Sequence, residues 1–301
     1  MLNGVNNGNG GNCQLRLGLP SGSLEQATLS LMERAGFNFR RSERSYFPVS
    51  DDEEIAAALI RAQEIAGYVD KGVFDAGITG KDWIMENNAD VVEVAELHYS
   101  KQSMKPVRWV IAVPKDSSIV SLSDLNGKRI ATELVNTTKM FLNKNGVTAD
   151  IEFSWGATEV KAPVLVDAIV EATETGRSLT ANNLRIIETV LTSTPRFIVN
   201  KESYKDSWKK RKVEQLVLLI KGAINAAGRV GLKFNMPRVM IERAREVVPA
   251  MKEPTVSSLL DEDWVALEII ISESKVRDLI PELKRFEACD IVEYPLNKVI
   301  Y

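Results

Sequence analysis

A chain of 301 residues, 45% hydrophobic and 26% charged, has the composition of a folded protein and the length for two or three domains. Its 38 basic and 41 acidic side chains leave a formal net charge of −3, which excludes a global positive field that would gather nucleic acid, so any phosphate site has to be local. Cys13 and Cys289 make neither a disulfide framework nor a zinc pattern and suit a reducing cytoplasm; no apolar run approaches the roughly 20 residues that span a bilayer, and no membrane partner is expected.

In chain order, Met1 to Asn12 is rich in Asn and Gly and reads as a flexible tail rather than an export signal. Gln14 to Leu19 then forms a short apolar strand, Pro20-Ser21-Gly22-Ser23 turns the chain, and Leu24, Ala27, Leu31 and Ala35 recur at helical spacing, giving one βα unit. Asp51 to Glu54 stand ahead of Ile55 to Val69, which reads as a helix whose first-turn carboxylates oppose the positive end of its dipole. Val73 to Gly80 predicts a short buried strand ending in a glycine-flanked turn, and Lys81 to Asn87 a helix. Strands are expected over Val107 to Val113 and Arg129 to Thr132, with a helix over Thr137 to Asn145. The alternation predicts an α/β architecture with mostly parallel strands. Past Arg196 to Asn200, the stretch from Lys205 to Ala227 places Val213, Leu216, Val217, Ile220 and Ile224 on one helical face. The remainder changes character: strand Val230 to Phe234, helix Arg238 to Val248, strands around Val256 to Leu260 and Val265 to Ile271, helix Val276 to Phe286, strand Asp290 to Tyr294. That βαββαβ order belongs to a ferredoxin-like module.

The stretch with the most chemistry runs from Asp167 to Leu179, where an apolar strand carrying acids leads into Thr, Gly and Ser and then a helix. Thr175, Gly176, Arg177 and Ser178 would gather backbone N–H groups, hydroxyls and one guanidinium around a phosphate at a helix N-terminus. Asp167 and Glu171 could accept hydrogen bonds from ribose hydroxyls or hold hydrated Mg²⁺, a hard cation that prefers oxygen ligands. A capped helix without a ligand is the plain alternative for the same pattern.

Glu171-Ala172-Thr173-Glu174-Thr175-Gly176-Arg177-Ser178-Leu179, with the Ala181-Asn182-Asn183-Leu184 that follows, resembles the phosphoribosyl-pyrophosphate loop of ATP phosphoribosyltransferases. Leu19 to Leu24 resembles that family's first turn, Asp75 to Gly80 its second, and Leu125 to Thr132 the strand that opens its second domain. Asn235-Met236-Pro237, Pro254 to Ser257 and Tyr294 to Lys298 are similar to the histidine-binding regulatory domain of the long form. The chain departs from the family at Ser21, often Lys there, at Glu171, commonly Asp, and at Ser178, commonly Thr.

The resemblance implies two α/β lobes hinged like a periplasmic solute-binding protein, followed by a ferredoxin-like (ACT-like) domain. Residues 14–103 and 187–210 would form catalytic domain I, residues 104–186 domain II with the loop, and residues 222–301 the regulatory domain, after a tail over 1–13. The chain would cross out near Met104 and return near Leu184. It further implies phosphoribosyl transfer to N1 of ATP as the first step of histidine biosynthesis, with Mg²⁺, inhibition by histidine and a hexamer in equilibrium with dimers. The donor would meet Asp167, Glu171 and Thr173 through Leu179; ATP would meet Gly22, Arg61, Asp75, Gly77, Thr79 and Gly80; histidine would meet Asn235, Thr255 and Ala288. Arg61, Arg108 and Lys81 are candidates for neutralising the leaving pyrophosphate, Arg61 being placed on the helix ahead of the Asp75 strand.

No nucleophilic side chain is required, since adenine N1 carries its own lone pair; His98, without partners in sequence, reads as structural. Trp83, Trp109, Trp155, Trp208 and Trp264 read as core. The rival readings are a two-lobed small-molecule-binding protein without chemistry and a regulatory pseudoenzyme.

Overall fold

The computed structural model describes residues 14–41, 45–99, 106–245 and 254–301. The expected tail, the crossing near Met104 and the last residues of the helix expected to reach Val248 lie outside the described residues. The chain divides into two compact units, one up to Val217 and one from Leu218 to Tyr301.

The first unit opens with β1 (Leu15–Ser21), a 3-10 turn over Gly22–Leu24 and α1 (Glu25–Ala35). A ribbon of β2 (Phe39–Arg40) and β3 (Val49–Ser50) leads to β4 (Ile55–Arg61), α2 (Ala62–Asp70), β5 (Ala76–Gly80), α3 (Lys81–Glu86) and β6 (Val92–Glu96). A second lobe is built by β7 (Val107–Pro114), β8 (Arg129–Thr132), α4 (Val135–Lys144), β9 (Asp150–Phe153), β10 (Ala168–Thr173), α5 (Arg177–Ala181) and β11 (Leu184–Ser193). The chain then returns through β12 (Pro195–Val199) and continues into α6 (Ser207–Ala226).

The sheet of lobe I is ordered β4-β1-β5-β12-β6 and that of lobe II β9-β8-β10-β7-β11. The two orders follow one pattern: the strand arriving from the other lobe lies fourth and antiparallel to both neighbours, while the three strands beside it run parallel. This is the expected two-lobed α/β architecture of a periplasmic solute-binding protein. Ladders close on apolar residues, with Leu15, Leu17, Leu19, Ile78 and Phe197 fully buried in lobe I and Ile111, Ile130 and Val170 in lobe II.

Three expectations change. The stretch from Ile55 to Val69 is a strand and a helix, not one helix: the alanines of β4 favour a helix, but the strand pairs with β1 from Leu15↔Ile55 to Ser21↔Arg61, and ladder and burial outweigh propensity. Asp51 to Glu54 therefore cap no helix; the Asp51 carboxylate accepts the N–H and Nδ2–H of Asn38 at 2.9 and 2.6 Å, and Asp52 and Glu54 flank the buried Lys212. The return crossing lies at Thr194 rather than near Leu184, because β11 stays paired with β7 down to Ser193↔Val107, so residues 187–193 belong to lobe II. Trp155 is 79% exposed instead of core, stacked edge-on against an exposed Phe153, while Trp109 is buried.

The second unit contains β13 (Arg229–Pro237), α7 (Ile241–Arg245), β14 (Thr255–Ser258), β15 (Trp264–Ser272), α8 (Glu273–Arg285) and β16 (Cys289–Pro295), the predicted βαββαβ order. Its antiparallel sheet runs β14-β15-β13-β16 and opens at Arg229, while the compact unit itself begins at Leu218, slightly before residue 222. Val230, Leu232, Phe234 and Met236 of β13 join Leu267 and Ile269 of β15 and Val276, Leu279 and Leu283 of α8 in one core. On the other face the Tyr294 ring crosses β13 above Gly231, where an added Cβ would fall 2.1 Å from Tyr294 Cζ, and its hydroxyl donates to Glu268.

Candidate active site

In each lobe the parallel strands end on the same side, and that side is where the lobes join: β11 ends at Ser193, β12 starts at Pro195, and the turn between them is short. In lobe I, β1 and β4 end with Ser21 opposite Arg61. Gly22 follows at φ +83°, a conformation that suits glycine, and a Cβ there would sit 3.1 Å from Arg61 Nη1. Gly22 and Arg61 thus form one corner. Arg61 is the last residue of β4 and the extended cap of α2, not a residue of the helix, and its exposed guanidinium makes no ion pair among the described residues.

Of the other residues expected at ATP, Thr79 and Gly80 lie at this end of β5 and Asp75 does not. Asp75 lies at the opposite end of β5, about 17 Å of strand away, fully buried. Its carboxylate accepts from Arg16 N, Nε and Nη2, from Ser203 Oγ and from Lys209 Nζ, all at 2.8–3.0 Å. Burial pushes this carboxyl up, but the bonds from Arg16, Lys209 and Ser203 outweigh it and hold the group well below the usual carboxylate range. Gly77 is a packing residue: a Cβ would come 2.5 Å from Ile65 Cγ2 and 3.2 Å from the Gly18 carbonyl. Thr79 is fully buried and donates its hydroxyl to the Ala62 carbonyl at 2.7 Å. Gly80 closes β5 where a Cβ would collide with Asp82, 2.0 Å from Oδ1.

In lobe II the expected strand, glycine turn and helix form. β10 ends at Thr173, whose hydroxyl accepts the Gly176 N–H at 2.7 Å, and Gly176 turns at φ +76° into α5. Thr175, Arg177 and Ser178 are exposed and Glu174 is partly buried, whereas the Leu179 side chain is in the core and can offer a ligand only its amide. The opening amides of a helix have no acceptor within it, so this turn presents donors. Ser178 Oγ donates to Glu159 at 2.6 Å. Arg108, on β7, is paired across the sheet with Thr173 on one side and Thr192 on the other, and makes no ion pair or side-chain hydrogen bond among the described residues.

Asp167 does not belong to this cluster. It precedes β10 at the far end, about 20 Å of strand from the loop, and accepts the Arg129 N–H at 2.9 Å. Asp167 and Glu171 are also about 13 Å apart along the chain and cannot chelate one ion together. Glu171 is at the loop end, where burial raises its carboxyl above the ordinary glutamate range, and the nearby Glu159 and Glu133 raise it further. Lys81 is already engaged with Glu93 at 2.5 Å. His98 is exposed.

In the second unit Asn235 donates to Asp290 at 2.9 Å and pairs with Cys289, next to the fully buried Ala288. Thr255 lies on β14, with β15 between it and β13 and two residues out of row from Asn235. One protomer therefore does not bring the three together.

Residues 61–222 match the family model described as ATP phosphoribosyltransferase, and residues 226–298 match the model of the HisG C-terminal domain. The ATP phosphoribosyltransferase of Chlorobium phaeobacteroides is 59% identical over 286 residues, 95% of this chain and 97% of that protein. The chain belongs to the ATP phosphoribosyltransferase family. The enzyme of that name from Thermodesulfovibrio yellowstonii is 56% identical over 95% of this chain and 98% of its own. The solved ATP phosphoribosyl transferase (HisG:HisZ) complex from Thermotoga maritima aligns with TM-score 0.59 and 28% identity over 69% of this chain and 98% of that one. The chain is thus a pentosyltransferase of histidine biosynthesis in its long form, and neither the binding-protein nor the pseudoenzyme reading is favoured.

Sequence reasoning missed four acids. Asp82 and Glu86 of α3 bind groups of lobe II, and Glu133 and Glu159 surround Glu171. The i, i+4 spacing of Asp82 and Glu86 on one helix face was the available signal; for the other two there was none, since their proximity arises from the sheet.

Proposed function

We propose that the loop from Thr173 to Leu179 holds the 5′-phosphate of phosphoribosyl pyrophosphate and that the Gly22–Arg61 corner holds ATP, so that the two substrates meet at the junction of the lobes. The single observation that carries this reading is the Gly176 turn, anchored by the Thr173 hydroxyl and flanked by Arg108, which makes no ion pair among the described residues. In the reaction the bond from the anomeric carbon to pyrophosphate breaks as the lone pair of adenine N1 forms the new one. Positive charge grows on the sugar and negative charge on the leaving group. Arg108 and Arg61 face the negative charge, and the apposed lobes exclude the water that would hydrolyse the donor.

A divalent cation fits the chemistry of Glu171. Its half-buried carboxylate lies near Glu133 and Glu159, a repulsion that a cation would relieve; no group of three His, Cys, Asp or Glu among the described residues builds a protein-only cage. Mg²⁺ is commonly held by one or two carboxylates together with substrate phosphates, and Glu171 would supply such an oxygen. Bound there, the cation would neutralise pyrophosphate. Because the Glu171 carboxyl is raised, its proton is taken up at higher pH than that of an ordinary glutamate. Affinity for Mg²⁺ is therefore expected to fall as pH drops through that raised value, whereas metal-free stability is expected to rise, since protonation removes a buried charge. Measuring the Mg²⁺ dependence of rate and the melting temperature across mildly acid pH checks both slopes; Glu171→Gln should flatten them.

We further infer inhibition by histidine at paired second units, a homo-hexamer in equilibrium with dimers, and a cytoplasmic location. The distance between Asn235 and Thr255 on one sheet supports a pocket completed by a second copy, and no helix among the described residues is long and apolar enough to cross a membrane. Titrating phosphoribosyl pyrophosphate with Mg²⁺ into the full chain in a calorimeter tests the core of this reading. Saturable heat is expected, and pyrophosphate release on adding ATP; absence of binding would remove the donor from the loop.

A further inference from the structure

α3 is a short helix tied to both lobes. Towards lobe I, Asn87 at its end donates to the Gln63 carbonyl at 2.9 Å. Towards lobe II, the buried Asp82 carboxylate accepts Trp109 Nε1–H at 2.7 Å, and the Trp83 ring meets the Trp109 ring edge-on at 5.9 Å. At the far end Glu86 Oε1 accepts the Asn136 N–H and Oε2 the Thr137 N–H, both at 2.9 Å, while Asn136 Nδ2 donates to the Glu86 carbonyl at 3.0 Å. Those two amides are orphan donors in the first turn of α4, and the cap position of α4 itself is Leu134, fully buried and with nothing to offer them. A carboxylate from lobe I thus does the work of an N-cap for a helix of lobe II, with the helix dipole in its favour.

We propose that α3 is an inter-lobe brace in which Glu86 is a positioning residue: by capping α4 across the junction it sets the angle at which the donor loop of lobe II faces the nucleotide corner of lobe I. The inference rests on the assignment of one substrate to each lobe. Each half-site is built from residues of its own lobe, so loosening the brace leaves the affinity of the donor loop intact. The alignment of N1 with the anomeric carbon does depend on the angle, and a misplacement of about 1 Å costs roughly 100-fold in rate.

The test compares the full-length protein with Glu86→Gln, which keeps the volume and one acceptor oxygen, and Glu86→Ala. Hydrogen exchange at Asn136 and Thr137 reads the cap, calorimetry with phosphoribosyl pyrophosphate and Mg²⁺ reads the donor site, and pyrophosphate release reads kcat. In Glu86→Ala, exchange at both amides should quicken by about fivefold, the yield from roughly 1 kcal/mol of capping. Its donor Kd should stay within about twofold and kcat should fall by about tenfold or more. Glu86→Gln should lie between Glu86→Ala and wild type in exchange and kcat, and it carries the comparison alone if the alanine variant fails to fold. Unchanged exchange would overturn the brace, as would faster exchange with unchanged kcat, or a donor Kd that worsens in step with kcat. If the wild-type protein does not bind the donor, the substrate assignment fails, and the exchange comparison still decides whether Glu86 caps α4.

Discussion

Asp75→Ala is expected to destabilise the first unit by about 3 kcal/mol while leaving the KM for ATP of the folded fraction unchanged. The carboxylate is fully buried and takes bonds from Arg16, Ser203 and Lys209, so its removal strands two cations and a hydroxyl. Breaking a buried pair by removing one partner costs about 3–5 kcal/mol; the lower edge applies because Arg16 is 44% and Lys209 22% exposed and both can recover water. The sign with pH follows from the depressed carboxyl. Its contribution is complete above the pKa of an unfolded aspartate and is lost only as pH falls towards the folded value, far into acid, so neutral pH shows the whole effect. A urea titration followed by tryptophan fluorescence should show an earlier midpoint with the same slope. A raised KM for ATP at unchanged midpoint would instead make Asp75 a ligand.

The contrast between Asp75 and Gly176 shows what a sequence can carry. Gly176 is legible because its role is local: a left-handed turn between an apolar strand and a helix is written in adjacent residues. Asp75 and Asp167 were placed at the site because they adjoin the right strands, but each lies at the end remote from the junction. Which end of a strand faces a cleft is decided by the topology of the whole sheet, and local pattern is blind to it. The same blindness hid the brace, since Asp82 and Trp109 are 27 residues apart, and Glu86 and Asn136 are 50 apart. The βαββαβ unit was readable because its alternation is strong, with β13 and β15 each placing four apolar side chains in one core. In β4, by contrast, alanines gave a helical signal that pairing with β1 overrode.

Arg108→Ala should lower kcat/KM for the donor by about 100-fold, or ~2.7 kcal/mol, without lowering the melting temperature. Arg108 is half-buried, paired in register with Thr173 and Thr192, and on the same sheet face as Glu171 two residues along β10. Its guanidinium makes no ion pair among the described residues, and holding it partly out of water is costly, so its removal relieves the empty protein as it weakens the liganded one. One charge-assisted bond to phosphate is worth about 1.5–3 kcal/mol, which sets the size of the loss. Arg108→Lys should restore only part of it, because an ammonium cannot present the planar fork that grips two phosphate oxygens at once. Steady-state pyrophosphate release with the calorimetric Kd of the donor checks the loss, and a melting curve checks the unchanged stability. If Arg108→Ala binds and turns over the donor as the wild type does, the leaving pyrophosphate is neutralised without Arg108, and the cation serves another anion at the junction of the lobes.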